Sequence, residues 1–360
     1  MLPASSRWFI VGLSVLSATC LSSLAAAGEP VTLESTVDPG ANMRDEPLAE
    51  AYSLEKAVHF LDSAALTWQN QQKCFTCHTN YAYLYARPLV SPEAVAHQSV
   101  REFARKLVTE RWESDGPRWD AEIVATAAAL AFNDRATTGR LSPETRTALD
   151  RMWTVQREDG GISWINCDWP PMESDDHYGV TLAALAVGIA PDDYASTEQA
   201  RKGIDGLRKY FAANEAPTLH HRAMLLWAAQ SLDDVVPKDQ QADTLAELRS
   251  LQHEDGGWAL AALGNWERAD GSPQDKQTSD GYGTGFVVFV LRQADVRADD
   301  PAIVRGIAWL KSHQRESGRW FTRSLNKDSK HFITHAGTAF AVMAIASCES
   351  DVKSTVIQRD

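Results

Sequence analysis

The sequence predicts an all-α protein, a single (α/α)6 toroid in which six helix hairpins form two concentric rings. Three observations predict it. One helix–loop–helix layout recurs from residue 54 to residue 347. The two helices of each unit differ in kind, the first amphipathic and the second apolar on nearly every side. A loop rich in Gly, Asp and Trp recurs in register with the units.

The hairpins read as 54–90, 93–135, 142–190, 197–234, 238–294 and 301–347. The clearest amphipathic helix is 197–211, where Ala200, Ile204, Leu207 and Phe211 recur at helical spacing between Arg, Lys and Asp. The second helices hold runs such as Ala125–Phe132, Gly179–Val187, Phe286–Leu291 and Thr338–Ile345, almost without polar side chains. A helix with no polar face must be surrounded by protein, so these form the inner ring and the amphipathic ones the outer. Their alanines permit close packing. An open helical solenoid is the alternative arrangement of the same repeats.

Outside the repeats, Arg7, the uncharged run from Trp8 to Leu16 and the small residues Ala25-Ala26-Ala27 read as a secretory signal over 1–27, and so as an exported protein. Residues 28–50, rich in Pro, Gly, Asp and Glu, read as a disordered lead-in; the toroid spans 51–348 and a tail follows over 349–360. No stable membrane span is expected after signal cleavage. The net charge of −13 becomes −14 once Arg7 is removed, which excludes nucleic acid as a main partner.

Three of the loops are Gln156-Arg-Glu-Asp-Gly-Gly-Ile-Ser-Trp164, Gln252-His-Glu-Asp-Gly-Gly-Trp258 and Gln314-Arg-Glu-Ser-Gly-Arg-Trp320. Gln ends an outer helix, the glycines allow the turn, and Trp packs over the helix end. These loops resemble the QW repeats of squalene-hopene and oxidosqualene cyclases and, more loosely, of protein prenyltransferase β subunits. The resemblance implies the α/α toroid over roughly 54–347. It is much less specific for the reaction, since one fold hosts unrelated chemistries.

Polar clusters open the inner helices and are expected to converge at one mouth of the ring, with Tyr178 and Tyr282 lining a pocket there. Glu173-Ser174-Asp175-Asp176 resembles the Asp-x-Asp-Asp motif of squalene-hopene cyclases, which implies Asp175 as the acid that protonates a polyene and Asp176 as its neighbour. Such an acid must hold its proton, which requires carboxyls crowded in an apolar site. Glu173 replaces the first Asp and His177, a base, follows. The same carboxylates could instead cap the inner helix.

Cys74-Phe75-Thr76-Cys77-His78 is the sharpest chemical motif. Cys-x-x-Cys-His in an exported chain is the pattern of covalent haem c attachment, with thioethers to Cys74 and Cys77 and His78 as an iron ligand. Candidates for the opposite iron position are His177, His335 and Met172. Zinc is the alternative cofactor, held by Cys74, Cys77 and His78 with Asp176, Asp280, His177 or His335, as toroidal prenyltransferases and lanthionine cyclases hold one. A Cys74–Cys77 disulfide is a third reading, and no partner is read for Cys167 or Cys348. His220 and His221 open the fourth inner helix, while His59, His97, His253, His313 and His331 read as surface or loop residues.

Three functions remain in play: an enzyme or binder of an isoprenoid-like apolar small molecule, a haem redox protein with an electron-transfer partner, and a non-catalytic interaction module with a side-chain-filled centre.

Overall fold

A computed structural model describes residues 29–357. The signal read over 1–27 lies outside the described residues. The outer helices are α1 (Leu54–Gln72), α3 (Val95–Lys106), α5 (Pro143–Met152), α7 (Glu198–Ala213), α9 (Lys238–Ser250) and α11 (Pro301–Ser312). Each is followed by an inner partner: α2 (Ala82–Ala86), α4 (Asp120–Thr137), α6 (Asp176–Ile189), α8 (Leu219–Ala228), α10 (Gly281–Gln293) and α12 (Ile333–Ile357). α2 is entered through a π-helical turn, Cys77–Tyr81.

The sequence chemistry accounts for the starts. Ser53, Ser142, Asp175, Thr197, Thr218 and Asp280 each accept a backbone N–H from three residues on, and Pro143 and Pro301 occupy first-turn positions where no N–H is needed. The inner helices are buried on every side, as their composition requires: Ala125 and Ala127 to Ala131 are at most 1% exposed.

The hairpins close. Each inner helix packs on the next, α2 on α4, α4 on α6 and onward to α10 on α12, and α12 returns to α2. This excludes the open solenoid. The closing seam repeats the loop chemistry of the other joints. Gln156 Nε2 donates to Gly203 O of α7, Gln252 Nε2 to Ala302 O of α11, and Gln314 Nε2 to Ser53 O at the start of α1. The same three amides also donate to the carbonyls of Gly160, Gly256 and Gly318, four residues on. Those glycines have φ of +87°, +92° and +92°, and each lies against the backbone of the next outer helix, so two constraints meet there.

The tryptophans obey the expected rule in two loops of three. Trp258 and Trp320 donate from Nε1 to Leu248 O and Leu310 O in the last turns of α9 and α11, both at 2.7 Å. In the third hairpin the position six after the glutamine is Ile162, fully buried, and Trp164 lies two residues later, donating instead to Met172 O.

Two boundary expectations need correction. Residues 29–50 are not an unattached lead-in. Val31 is buried, Arg319 donates to the carbonyls of Pro39, Gly40 and Ala41 and pairs with Glu46, and Ala49 N donates to Gln314 O, so this strap lies across the seam. Composition misses this because the strap contributes backbone carbonyls, which every residue has. The helical backbone of α12 also runs to Ile357, beyond the expected end of the toroid at 348. Among the described residues no helix is long and apolar enough to cross a membrane.

Candidate haem-attachment site at the mouth of the ring

The polar helix starts share one rim, but side-chain contacts sort them into separate groups instead of one site.

The first group surrounds the Cys-x-x-Cys-His motif. Cys74 is half-buried, Cys77 is buried, and both are free thiols. His78 is 3% exposed, with ring centroids 4.4 Å from Trp169, 5.4 Å from Trp68 and 5.7 Å from Phe332. Its ring nitrogens lie within hydrogen-bond reach of the hydroxyls of Thr76 and Thr79, and Thr79 Oγ1 also meets His335 Nδ1 at 3.0 Å. Burial holds His78 neutral down to about pH 3, reinforced by Lys330 and His331. The Cys77 thiol is pushed up by burial and by Glu173, whose own carboxyl is pushed up by burial. A π turn is a frequent mark of a functional segment, and this one begins at Cys77. Three buried nitrogens here have no hydrogen-bond partner: Trp68 Nε1, Trp169 Nε1 and His331 Nδ1. Buried donors are normally paired.

The second group holds the acidic motif, whose carboxylates make the contacts of a helix cap. Asp175 caps α6, accepting Tyr178 N at 3.1 Å, and its other oxygen lies 3.0 Å from His221 Nε2. Burial alone would raise this carboxyl, but His221, the Tyr178 amide and the Ser174 hydroxyl outweigh it and hold it at about 2. These contacts favour the charged carboxylate, the form that caps a helix start. Asp176 is engaged by Arg157 Nη1 at 2.8 Å and by Trp164 N at 2.9 Å. His177 packs against Tyr210, Phe211 and His221, not against His78.

Asp280 forms the third. It caps α10 through Gly283 N and also accepts Leu260 N, so its oxygens face backbone amides, and burial pushes it up to about 7. The proposed zinc set is therefore dispersed: Asp176 is on Arg157, Asp280 on amides, and His335 on Thr79. Among the described residues no three His, Cys, Asp or Glu side chains have metal-ligand spacing.

Down the axis, Cys77, Tyr85, Met172, Tyr178, Trp227 and Phe340 are among the residues lining a narrow cavity of about 10 Å³, room for about one water. A chain of ring contacts, Tyr85–Phe132–Trp227–Phe289–Phe340, fills the centre. Tyr178 borders this gap. Tyr282 does not; it is fully buried and its hydroxyl pairs with His220 Nε2 at 3.0 Å.

Sequence reasoning found the motif and missed its surroundings. Trp68, Trp169 and Phe332 lie far apart in the chain with no shared spacing. Trp169 and Phe332 lie in loops, where periodicity carries no information. His97, read as a surface residue, is fully buried between Pro92 O and Asn133.

Residues 219–348 match the squalene-hopene cyclase C-terminal domain family. A squalene–hopene cyclase of Bradyrhizobium diazoefficiens is 24% identical over 241 residues, 57% of this chain. The chain spans only 34% of that protein's length. Among solved structures, the type II terpene cyclase MstE of Scytonema superposes with a TM-score of 0.50 at 12% identity, over 81% of this chain and 96% of that one. Its variant bound to the substrate geranylgeranyl dihydroxybenzoate gives the same score at 14% identity, over 81% and 95%. The fold is the α/α toroid shared with terpene cyclases. A polysaccharide lyase superposes equally well, TM-score 0.52 at 9% identity over 81% and 96%, so the shape is common to unrelated reactions.

Proposed function

We propose that this chain is an exported c-type haem protein in which a squalene-cyclase-like toroid is the scaffold, and that it accepts and passes electrons at the Cys74-x-x-Cys77-His78 segment. The observation that carries the reading is the motif in its setting: two free thiols and a neutral imidazole among Trp68, Trp169 and Phe332, with three buried nitrogens unpartnered beside them.

The residue types of the motif are those that would hold the group. The thiols of Cys74 and Cys77 would each add across a vinyl group, forming a carbon–sulfur bond while the thiol hydrogen goes to the neighbouring carbon, with no oxidant required. Both must be reduced for this. His78, kept neutral by burial, retains the lone pair an iron ligand needs. Trp68, Trp169 and Phe332 would supply an apolar wall that restricts water, and Lys330, over the Trp169 ring, is a cation near the same rim that could balance propionate charge. Bound there, haem supplies one-electron chemistry whose potential is set by its axial ligands and its exposure.

A second reading, that the ring binds an isoprenoid-like apolar molecule, rests on the aromatic cavity on the axis. At about 10 Å³ it is far smaller than ligand sites, so the rings around it would have to part to admit such a molecule.

The deciding experiment is expression with the natural leader in a host that matures c-type cytochromes, followed by a pyridine haemochrome spectrum of the denatured protein. Haem that stays with the chain, and is lost in Cys77→Ser, supports the reading. A colourless wild-type protein removes it and brings apolar-ligand binding forward.

A further inference from the structure

We propose that the groove between the strap at 29–50 and the outer helices α1 and α3 docks a basic segment of a partner protein that also carries apolar side chains. The assignment goes beyond the haem reading and does not depend on it. The groove measures about 840 Å³, within the size range of ligand sites and far larger than the axial gap. The strap lines it with Val31 and Val37, and α1 and the start of α3 line it with Val58, Phe60 and Val95. Val37 and Val95 are 73% and 50% exposed, so both sides of the groove present a large apolar side chain to solvent. Exposed apolar residues gathered on one groove and rimmed by charge mark an interaction site, where scattered ones do not.

Charge selects the occupant. Arg87 and Asp62, also in the lining, are 4% and 6% exposed and satisfy each other: Arg87 Nε and Nη2 donate to the two Asp62 oxygens at 2.8 and 3.1 Å. Tyr83 adds a third bond to Asp62 at 2.7 Å. This pair lends the groove no net charge, so the exposed residues set its sign. They are Glu29, Asp38, Glu55, Glu93 and Glu316, against Lys56 and His59. An acidic rim around apolar walls attracts a cationic segment whose apolar residues enter the groove. A second copy of this chain is a poor occupant, because each copy carries a net charge of −13. The groove also backs onto the Cys-x-x-Cys-His motif. Phe60 meets the His335 ring at 5.5 Å, His335 Nδ1 lies 3.0 Å from Thr79 Oγ1, and that hydroxyl lies 3.1 Å from His78 Nδ1.

The test is fluorescence anisotropy of the full chain with a labelled peptide alternating lysine and valine. Saturable binding that weakens with added salt is expected, and weaker binding of a glutamate–valine peptide and of a lysine–serine peptide. Glu93→Lys combined with Glu316→Lys is expected to weaken the lysine–valine peptide by about tenfold. Glu215→Lys combined with Glu254→Lys makes the same charge change at exposed positions outside the groove and is expected to leave binding unchanged. Should the first pair not accumulate, Val95→Ser is expected to weaken the lysine–valine peptide and not the lysine–serine one. Absence of saturable binding, equal loss in the two double variants, or equal binding of the lysine–serine peptide overturns the assignment. So does sedimentation showing a dimer that Glu93→Lys with Glu316→Lys breaks, since the occupant is then a second copy. The haemochrome result bears on none of these outcomes, so the two readings fail separately.

Discussion

Gln314 and Ser53, 261 residues apart, exchange two hydrogen bonds across the seam of the ring: Ser53 N donates to Gln314 Oε1 at 2.7 Å and Gln314 Nε2 donates to Ser53 O at 2.8 Å. This joint fastens the sixth hairpin to the first. Gln314→Ala leaves the half-buried Ser53 amide and the buried Gly318 carbonyl without their Gln314 partner, so a loss of about 2–3 kcal/mol is expected in urea unfolding. Gln314→Glu retains an acceptor for Ser53 N but no donor for Ser53 O, and is expected to fall between.

Gly318 tests the same seam through the backbone. At φ +92° and against the carbonyl of Lys56, it has no room for a Cβ, whereas Gly116 at φ +75° has open space around it. Gly318→Ala is expected to lower the melting temperature by an amount corresponding to about 3 kcal/mol or more, because strain and collision add. Gly116→Ala carries strain alone, about 1 kcal/mol. Equal effects would mean that close approach at the seam contributes nothing.

Asp175 separates capping from acid catalysis. Its carboxyl is held at about 2 in the folded chain, below the ordinary value near 4, so its contribution is complete above about pH 4 and is lost as pH falls through about 2. Asp175→Asn keeps the cap for Tyr178 N and loses the charge beside His221. A loss of about 1–2 kcal/mol at neutral pH is expected, shrinking to nothing near pH 2. Chemical denaturation across that range checks it, and a loss that does not vary with pH contradicts the charge pairing.

How much of this was legible before the structure differs by level. The six hairpins and their inner and outer faces were readable because burial on all sides leaves a compositional trace, as at Ala125–Phe132. Closure was not, since it depends on Gln314 meeting Ser53, and no periodicity encodes a contact across that distance. The residue types of the mouth were visible, but their partners were not. Asp175 looked like half of an acid pair because its neighbour in sequence is Asp176, while its neighbour in space is His221. The strap at 29–50 escaped notice because it docks through carbonyls that Arg319 reads without regard to side chain.

His177 gives a pH dependence in a window distinct from that of Asp175. Burial, with His221 beside it, holds the imidazole at about 4, below the 6.5 it regains on unfolding. Above pH 6.5 the ring is neutral in both states and costs nothing. As pH falls toward 4 the unfolded chain takes up a proton that the folded chain refuses, so stability declines by roughly 2–3 kcal/mol across the window. His177→Phe removes the titration while filling the space between Tyr210 and Phe211. The variant is therefore expected to lose less stability than wild type between pH 6.5 and 4, by about that amount, in paired denaturation curves at the two pH values. Parallel curves for the two proteins would mean that His177 takes up its proton in the folded chain, which the packing of its ring against His221 opposes.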